Sequence, residues 1–141
     1  MALLSDKDRA AVQKEFEKLA NPVKVIVFSQ ELGSETCRQT ERLVKEVAEC
    51  SDKLSVELLN LILDRERAEA YGVDRVPAVV VEGARDYGIR FFGLPSGYEF
   101  TNLIDSIVVA STGQPSLTAE TQSALAGLPG PVHIQVFTTP T

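Results

Sequence analysis

Ser34-Glu35-Thr36-Cys37 sets a hydroxyl and a thiol three residues apart, just ahead of a stretch with helical periodicity. A thiol at a helix start feels the partial positive charge of unpaired backbone N–H groups, which lowers its pKa and makes it nucleophilic near neutral pH. Two thiols at this spacing form a redox pair: the first attacks a disulfide and the second resolves the mixed disulfide. Here the outer, attacking position holds Ser34, whose proton is held too tightly for this chemistry without a base, and the inner, resolving position holds Cys37. Cys37 reads either as a resolving-position thiol left without its partner or as a small buried apolar residue. Cys50 cannot replace the missing thiol. It lies about 20 Å further along the same helix, whereas a disulfide needs Cα atoms within about 7 Å. It reads as a half-buried residue at a helix end.

Val76-Pro77 is the second element with chemical meaning. An X-Pro bond directly before a strand is a candidate cis bond, although a proline that merely starts a strand is the plainer local reading. Placed beside Cys37, such a bond would leave the Val76 backbone free to pair with an extended substrate segment. Other residues are blander. His133 lies in a strand-like stretch with no carboxylate or Cys partner, and Asp64-Arg65-Glu66-Arg67 is a capped, solvated helix face. Gly93-Leu94-Pro95-Ser96-Gly97 is a turn before a helix and only a weak anion site.

Composition narrows the chemistry further. The 141 residues suit one domain, or one domain and a tail. With 44% hydrophobic and 24% charged residues, disorder as the main state is excluded. Lys plus Arg number 14 against 20 Asp plus Glu, for a net charge of −6, with no basic stripe to meet a nucleic acid. No apolar run approaches the ~18 residues of a membrane span. Met1 to Asp6 lacks the basic-then-apolar pattern of a signal peptide. Two Cys and one His are too few for a Cys/His zinc site of about four ligands. The expectation is a soluble, cytoplasmic domain without metal or other cofactor.

The positioning elements follow from periodicity. Ser5 and Asp8 have capping-box spacing, with Asp in the place of Glu or Gln, before Val12, Phe16 and Leu19 at helical intervals. That helix is expected to stop near Asn21-Pro22. Residues 23–28 are apolar on both faces after Lys24, as in a strand covered on both sides. A polar turn from Ser29 to Ser34, containing Gly33, leads to a helix from Glu35 to Cys50 with Thr40, Leu43, Val44, Val47 and Ala48 on one face. Ser55–Leu63 reads as a strand, and Asp64 as the cap of a short helix ended by Gly72. Ala78–Val81 and Tyr87–Phe92 form a hairpin about a turn at Gly83–Asp86. Ser96 and Glu99 have capping-box spacing before Phe100, Leu103, Ile104, Ile107 and Val108, and Thr112-Gly113 closes that helix. The order α-β-α-β-α-β-β-α, a parallel unit followed by an antiparallel hairpin, predicts an α/β thioredoxin-like fold over 1–113.

Residues 114–130 read as a linker with a short helix at 119–126. Pro131-Val132 to Phe137 then matches Pro22-Val23 to Phe28 at an offset of 109, with Pro, Val, Val and Phe coinciding. We read 131–141 as the first strand of a second, truncated unit; a chance match of two short apolar strands is the alternative.

Val23–Phe28, Ser34–Cys37, Tyr71-Gly-Val-Asp-Arg-Val-Pro77 and Phe92-Gly-Leu-Pro-Ser-Gly-Tyr-Glu-Phe100 resemble the amino-terminal unit of the tandem-thioredoxin, glutaredoxin-like protein disulfide oxidoreductases, found mainly in thermophiles. The resemblance covers nearly the whole chain. It implies two thioredoxin units in tandem, with Cys-x-x-Cys in the second, where this sequence ends. It implies that Cys37 matches the resolving Cys, Ser34 replaces the attacking Cys and Pro77 is the cis-proline of a substrate-binding pair with Val76. The implied partners are protein or peptide thiols and disulfides and the second unit, with neither nucleic acid nor membrane.

Two function classes follow. One is the redox-silent half of a thiol–disulfide oxidoreductase, or its variant, the amino-terminal electron-transfer module of a flavin-dependent disulfide reductase. The other is a non-catalytic peptide-binding or assembly module.

Overall fold

The computed structural model describes residues 2–30, 32 and 34–139. The chain runs through α1 (Asp6–Phe16), β1 (Val23–Ser29), α2 (Glu35–Ala48), β2 (Leu54–Asn60), α3 (Arg65–Ala70), β3 (Ala78–Glu82), β4 (Asp86–Phe92), α4 (Tyr98–Thr112) and α5 (Ala119–Ala126). The strands form one sheet in the order β2-β1-β3-β4, with β1 parallel to β2 and antiparallel to β3. No helix among the described residues is long and apolar enough to cross a membrane.

β1 is central because its sequence is apolar in both parities. Val23, Val25 and Val27 face a core shared with Val12 and Phe16 of α1, Leu43, Val44 and Val47 of α2, and Leu103 and Ile107 of α4. Ile26 and Phe28 face the opposite way, into a smaller core with Ala68, Val73, Ala78 and Val80. One face of the sheet therefore carries three helices and the other only the short α3. The hairpin and α4 touch at Gly83, where a Cβ would lie 2.1 Å from the Ala110 carbonyl oxygen.

Element ends show where side-chain chemistry overrides periodicity. Ser5 caps α1 by accepting the Asp8 N–H at 3.1 Å, and its hydroxyl donates to the Asp8 carboxylate at 2.6 Å. α1 stops at Phe16, earlier than Asn21-Pro22, and a turn carries the buried Leu19. Asn21 is instead clasped to α4: its N–H and side-chain amide donate to the Ser111 hydroxyl and carbonyl, each at 2.9 Å. β2 ends at Asn60 and does not continue to Leu63, because Asn60 Oδ1 accepts the N–H groups of Ile62 and Leu63 and bends the chain. Asp64 makes no side-chain cap for α3; its carboxylate accepts the Asn60 N–H. The Ser96–Glu99 box does not form either. α4 starts one residue too late for it, at Tyr98, behind Gly97 with φ +60°.

Residues 131–139, expected as a strand, carry neither helix nor strand and are exposed. A strand needs a neighbour for its backbone hydrogen bonds, and no described strand pairs with this segment.

The amino-terminal segment is held by Glu46 of α2. Its carboxylate accepts the Leu3 N–H at 2.9 Å and the buried Leu4 N–H at 2.8 Å. Burial alone would raise this carboxyl, but the Leu4 and Leu3 N–H groups, with Arg9 and Arg42, hold it below the usual carboxylate range. A depressed folded-state pKa stabilises fully above the ordinary Glu value of about 4.3 and is lost as pH falls through the lowered value. Glu46→Ala, which strands those two N–H groups, should cost about 1–3 kcal/mol at neutral pH by urea unfolding. The gap to the unaltered chain should narrow below about pH 4; a gap independent of pH would refute this role for the carboxylate.

Candidate functional site

The site forms where β1 ends. Phe28 pairs with Ala78 across the antiparallel register, which sets Pro77 level with Ser29 at the same end of the sheet. From Ser29 the chain passes over to the start of α2. The Ser29 hydroxyl donates a short hydrogen bond to the Glu41 carboxylate on α2, tying strand end to helix. Gly33, part of the expected turn, lies outside the described residues.

Ser34 is the N-cap of α2, in extended conformation, and its Oγ accepts the Cys37 N–H at 3.2 Å. An N-cap oxygen satisfies one of the orphan amides of the first turn. A thiolate in that position would be stabilised by the same amide and dipole. Ser34 thus fills the capping role at the start of α2. Cys37 points inward, 1% exposed. At the helix mouth Arg38 binds Glu35 at 2.7 Å, and that hydrogen bond and charge hold Glu35 below its usual value. Cys50 sits beyond the far end of α2, half-buried, and both thiols are free; burial pushes the Cys50 thiol up.

The Val76–Pro77 bond is cis. The Pro77 carbonyl accepts the Gly93 N–H at 2.9 Å, and Val76 is half-buried against the smaller core. Ser34, Cys37, Val76 and Pro77 therefore share one end of the sheet, and Cys50 stands apart from it.

The segment leading to Pro77 is fixed by the expected stop at Gly72 and by a cluster that sequence reasoning passed over. α3 ends at Gly72, φ +67°, with the Gly72 and Val73 N–H groups donating back to Glu69 and Ala68 at 3.0 and 2.8 Å. This paired closure is a Schellman motif. Arg90 of β4 donates to the Tyr71 carbonyl at 3.0 Å and forks onto Asp86 at 2.8 and 2.6 Å. The Arg90 hydrogen bond draws the Asp86 carboxyl down to about 2. Arg90 and Arg67 both lie over the Tyr71 ring, 5.5 and 5.9 Å from its centroid, and the Tyr71 hydroxyl binds Glu82 at 3.1 Å. Burial first, and Glu82 second, push that hydroxyl up. The one signal available was strand parity, which puts Asp86 and Arg90 on the same face.

The sheet order, the helix layers and the meeting of a capped helix start with Pro77 define a thioredoxin-like α/β domain. The chain belongs to the thioredoxin domain family, which matches residues 23–105. It is 32% identical over 85 residues to a probable thioredoxin of Methanothermobacter thermautotrophicus, over 57% of this chain and 95% of that protein. A protein disulfide oxidoreductase from Aeropyrum pernix matches with a TM-score of 0.78 at 30% identity, over 92% of this chain and 57% of that one. The alkylhydroperoxide reductase AhpF of Enterococcus faecalis shares the fold, with a TM-score of 0.80 at 24% identity over 89% of this chain and 61% of that one. The chain thus spans less than two thirds of either solved protein, and 23% or less of the longer curated relatives.

Ser34→Ala removes the acceptor for the Cys37 amide and should lower stability by about 0.5–2 kcal/mol, while Ser34→Gly should cost only a few tenths. Hydrogen exchange at the Cys37 amide should speed up in Ser34→Ala; unchanged exchange would show that the serine does not cap the helix.

Proposed function

We propose that this domain is the redox-silent half of a thiol–disulfide oxidoreductase, shaping a substrate or docking surface for a Cys-x-x-Cys in a second thioredoxin unit. The observation that carries this reading is Ser34 seated as the N-cap, with Cys37 buried one turn behind it. Kinship with a protein disulfide oxidoreductase gives the chemical class. In this reading Ser34 stands in the attacking position, Cys37 in the resolving position, and Val76 and Pro77 offer backbone to an extended protein or peptide segment. Residues 1–113 form the first unit, 114–130 the linker, and the segment from Pro131 belongs to the first strand of the second. That segment's exposed Val132, Ile134, Val136 and Phe137 support this assignment, since a strand core left open needs covering.

Silence and latency are both measurable. The unaltered chain should reduce insulin with dithiothreitol no faster than the uncatalysed control. Ser34→Cys restores a thiol at the helix mouth, where the dipole favours thiolate by about 0.3–1 kcal/mol. That thiolate would attack a substrate disulfide and release one substrate thiolate; Cys37 would then displace the second and close a Ser34→Cys/Cys37 disulfide, which dithiothreitol reduces. Ser34→Cys should therefore exceed the control rate and form an intramolecular disulfide in glutathione buffer. Activity of the unaltered chain would overturn silence. If both thiols of the variant stay free under oxidising conditions, the assembly-module reading replaces this one.

A further inference from the structure

Three ties run from the end of the hairpin to the segment that leads into Pro77. Arg90 of β4 donates through Nε to the Tyr71 carbonyl at 3.0 Å. The Arg75 guanidinium lies 5.2 Å from the centroid of the Phe92 ring. The Gly93 N–H, just past β4, donates to the Pro77 carbonyl at 2.9 Å. Of the three, the Arg90 tie is the most constrained. Its side chain is 16% exposed. Its two Nη groups fork onto the Asp86 carboxylate at 2.8 and 2.6 Å, and Nη1 also donates to the Ile89 carbonyl at 3.0 Å. The guanidinium stands 5.5 Å from the Tyr71 ring centroid, and that ring packs against Phe28 at 6.1 Å. Phe28 pairs with Ala78 at the strand end that carries the site. One planar group therefore joins the hairpin, the start of the loop and, through Tyr71, the end of β1. A guanidinium can hold a carbonyl, a carboxylate and a ring face at once, and an ammonium cannot.

We propose that Arg90 is a positioning residue for peptide capture: it holds the segment from Tyr71 to Pro77 so that the Val76 backbone meets an extended substrate strand in a fixed course. The proposal rests on the reading of Val76 and Pro77 as the pair that docks substrate. Strand-like docking draws its affinity from main-chain hydrogen bonds. A docking backbone ordered beforehand spares the complex the entropic cost of ordering it on binding. Ser34 and Cys37 belong to the start of α2, a helix that packs on β1 and β2. Arg90, on the far strand of the sheet, thus acts on capture and not on the exchange step.

Insulin reduction by the 141-residue chain carrying Ser34→Cys tests this, because that variant makes turnover measurable. Adding Arg90→Met should raise the KM for insulin about fivefold or more while kcat changes less than about twofold, the split produced by losing binding common to ground and transition states. Arg90→Lys keeps the charge without the fork. It should raise KM in the same direction, and it gives the readout if Arg90→Met fails to fold by circular dichroism. Glu46→Ala in the same background weakens the fold away from the loop and should leave KM unchanged. An unchanged KM in the Arg90 variants, or an equal rise in Glu46→Ala, would overturn the proposal and leave the redox reading standing. A Ser34→Cys chain that does not turn over insulin would overturn both.

Discussion

The double-sided burial of β1 is the constraint on which the rest depends. Val23, Val25 and Val27 belong to the three-helix core, and Ile26 and Phe28 to the core under α3. Each buried side chain of this size contributes about 1.5–3 kcal/mol of apolar burial. A one-residue slip would exchange the two sets and put each against the wrong shape. Register with β2 and β3 is therefore pinned, and so is the point at which the chain leaves the sheet after Ser29. Everything at the site inherits that precision: the start of α2 above the strand end, and Pro77 level with it.

On this fixed frame the Ser34 hydroxyl stands three residues ahead of Cys37, at the start of α2. A serine oxygen is a good N-cap, and a sulfur there would gain from the same amide and dipole. Ser34 caps the helix start, and Cys37 is buried one turn behind it. Around the proline loop, the Arg90 fork on Asp86 and its hold on the Tyr71 carbonyl give the segment 71–77 a defined start. Groups of this kind order a loop because each polar atom has a partner.

Much of this was legible from residue order. Strand parity at 23–28, the helical spacing of Leu43, Val44 and Val47, and the turn residues about the hairpin all reflect burial, which periodicity reports directly. The spacing of Ser34 and Cys37 and the placement of Val76-Pro77 were legible from residue type and element order, and the structure brings these four residues to one end of the sheet. Misreadings cluster where a side chain competes for backbone hydrogen bonds. Leu61 to Leu63 look like strand by composition, yet the Asn60 carboxamide takes the amides of Ile62 and Leu63. Ser96 and Glu99 have the spacing of a box, yet Gly97 adopts a positive φ that starts the helix one residue later. Asp64 looks like a cap, yet its carboxylate is spent on Asn60. Such contests are decided by geometry between neighbours in space. The Tyr71–Arg90 cluster was hidden for a related reason: nineteen residues separate its members.

The central claim is that the one thiol at the helix mouth is sequestered behind a serine cap. The most direct measurement is the alkylation rate of Cys37 in the native chain, followed by mass spectrometry, against the same peptide in denaturant. A buried thiol should react only through opening of α2 or of the whole domain, at a rate lower by the opening equilibrium. Ser34→Ala, which loosens that helix start, should react faster than the unaltered chain. A native Cys37 that alkylates as fast as the denatured peptide would contradict the account, since the thiol would then be open and available for exchange.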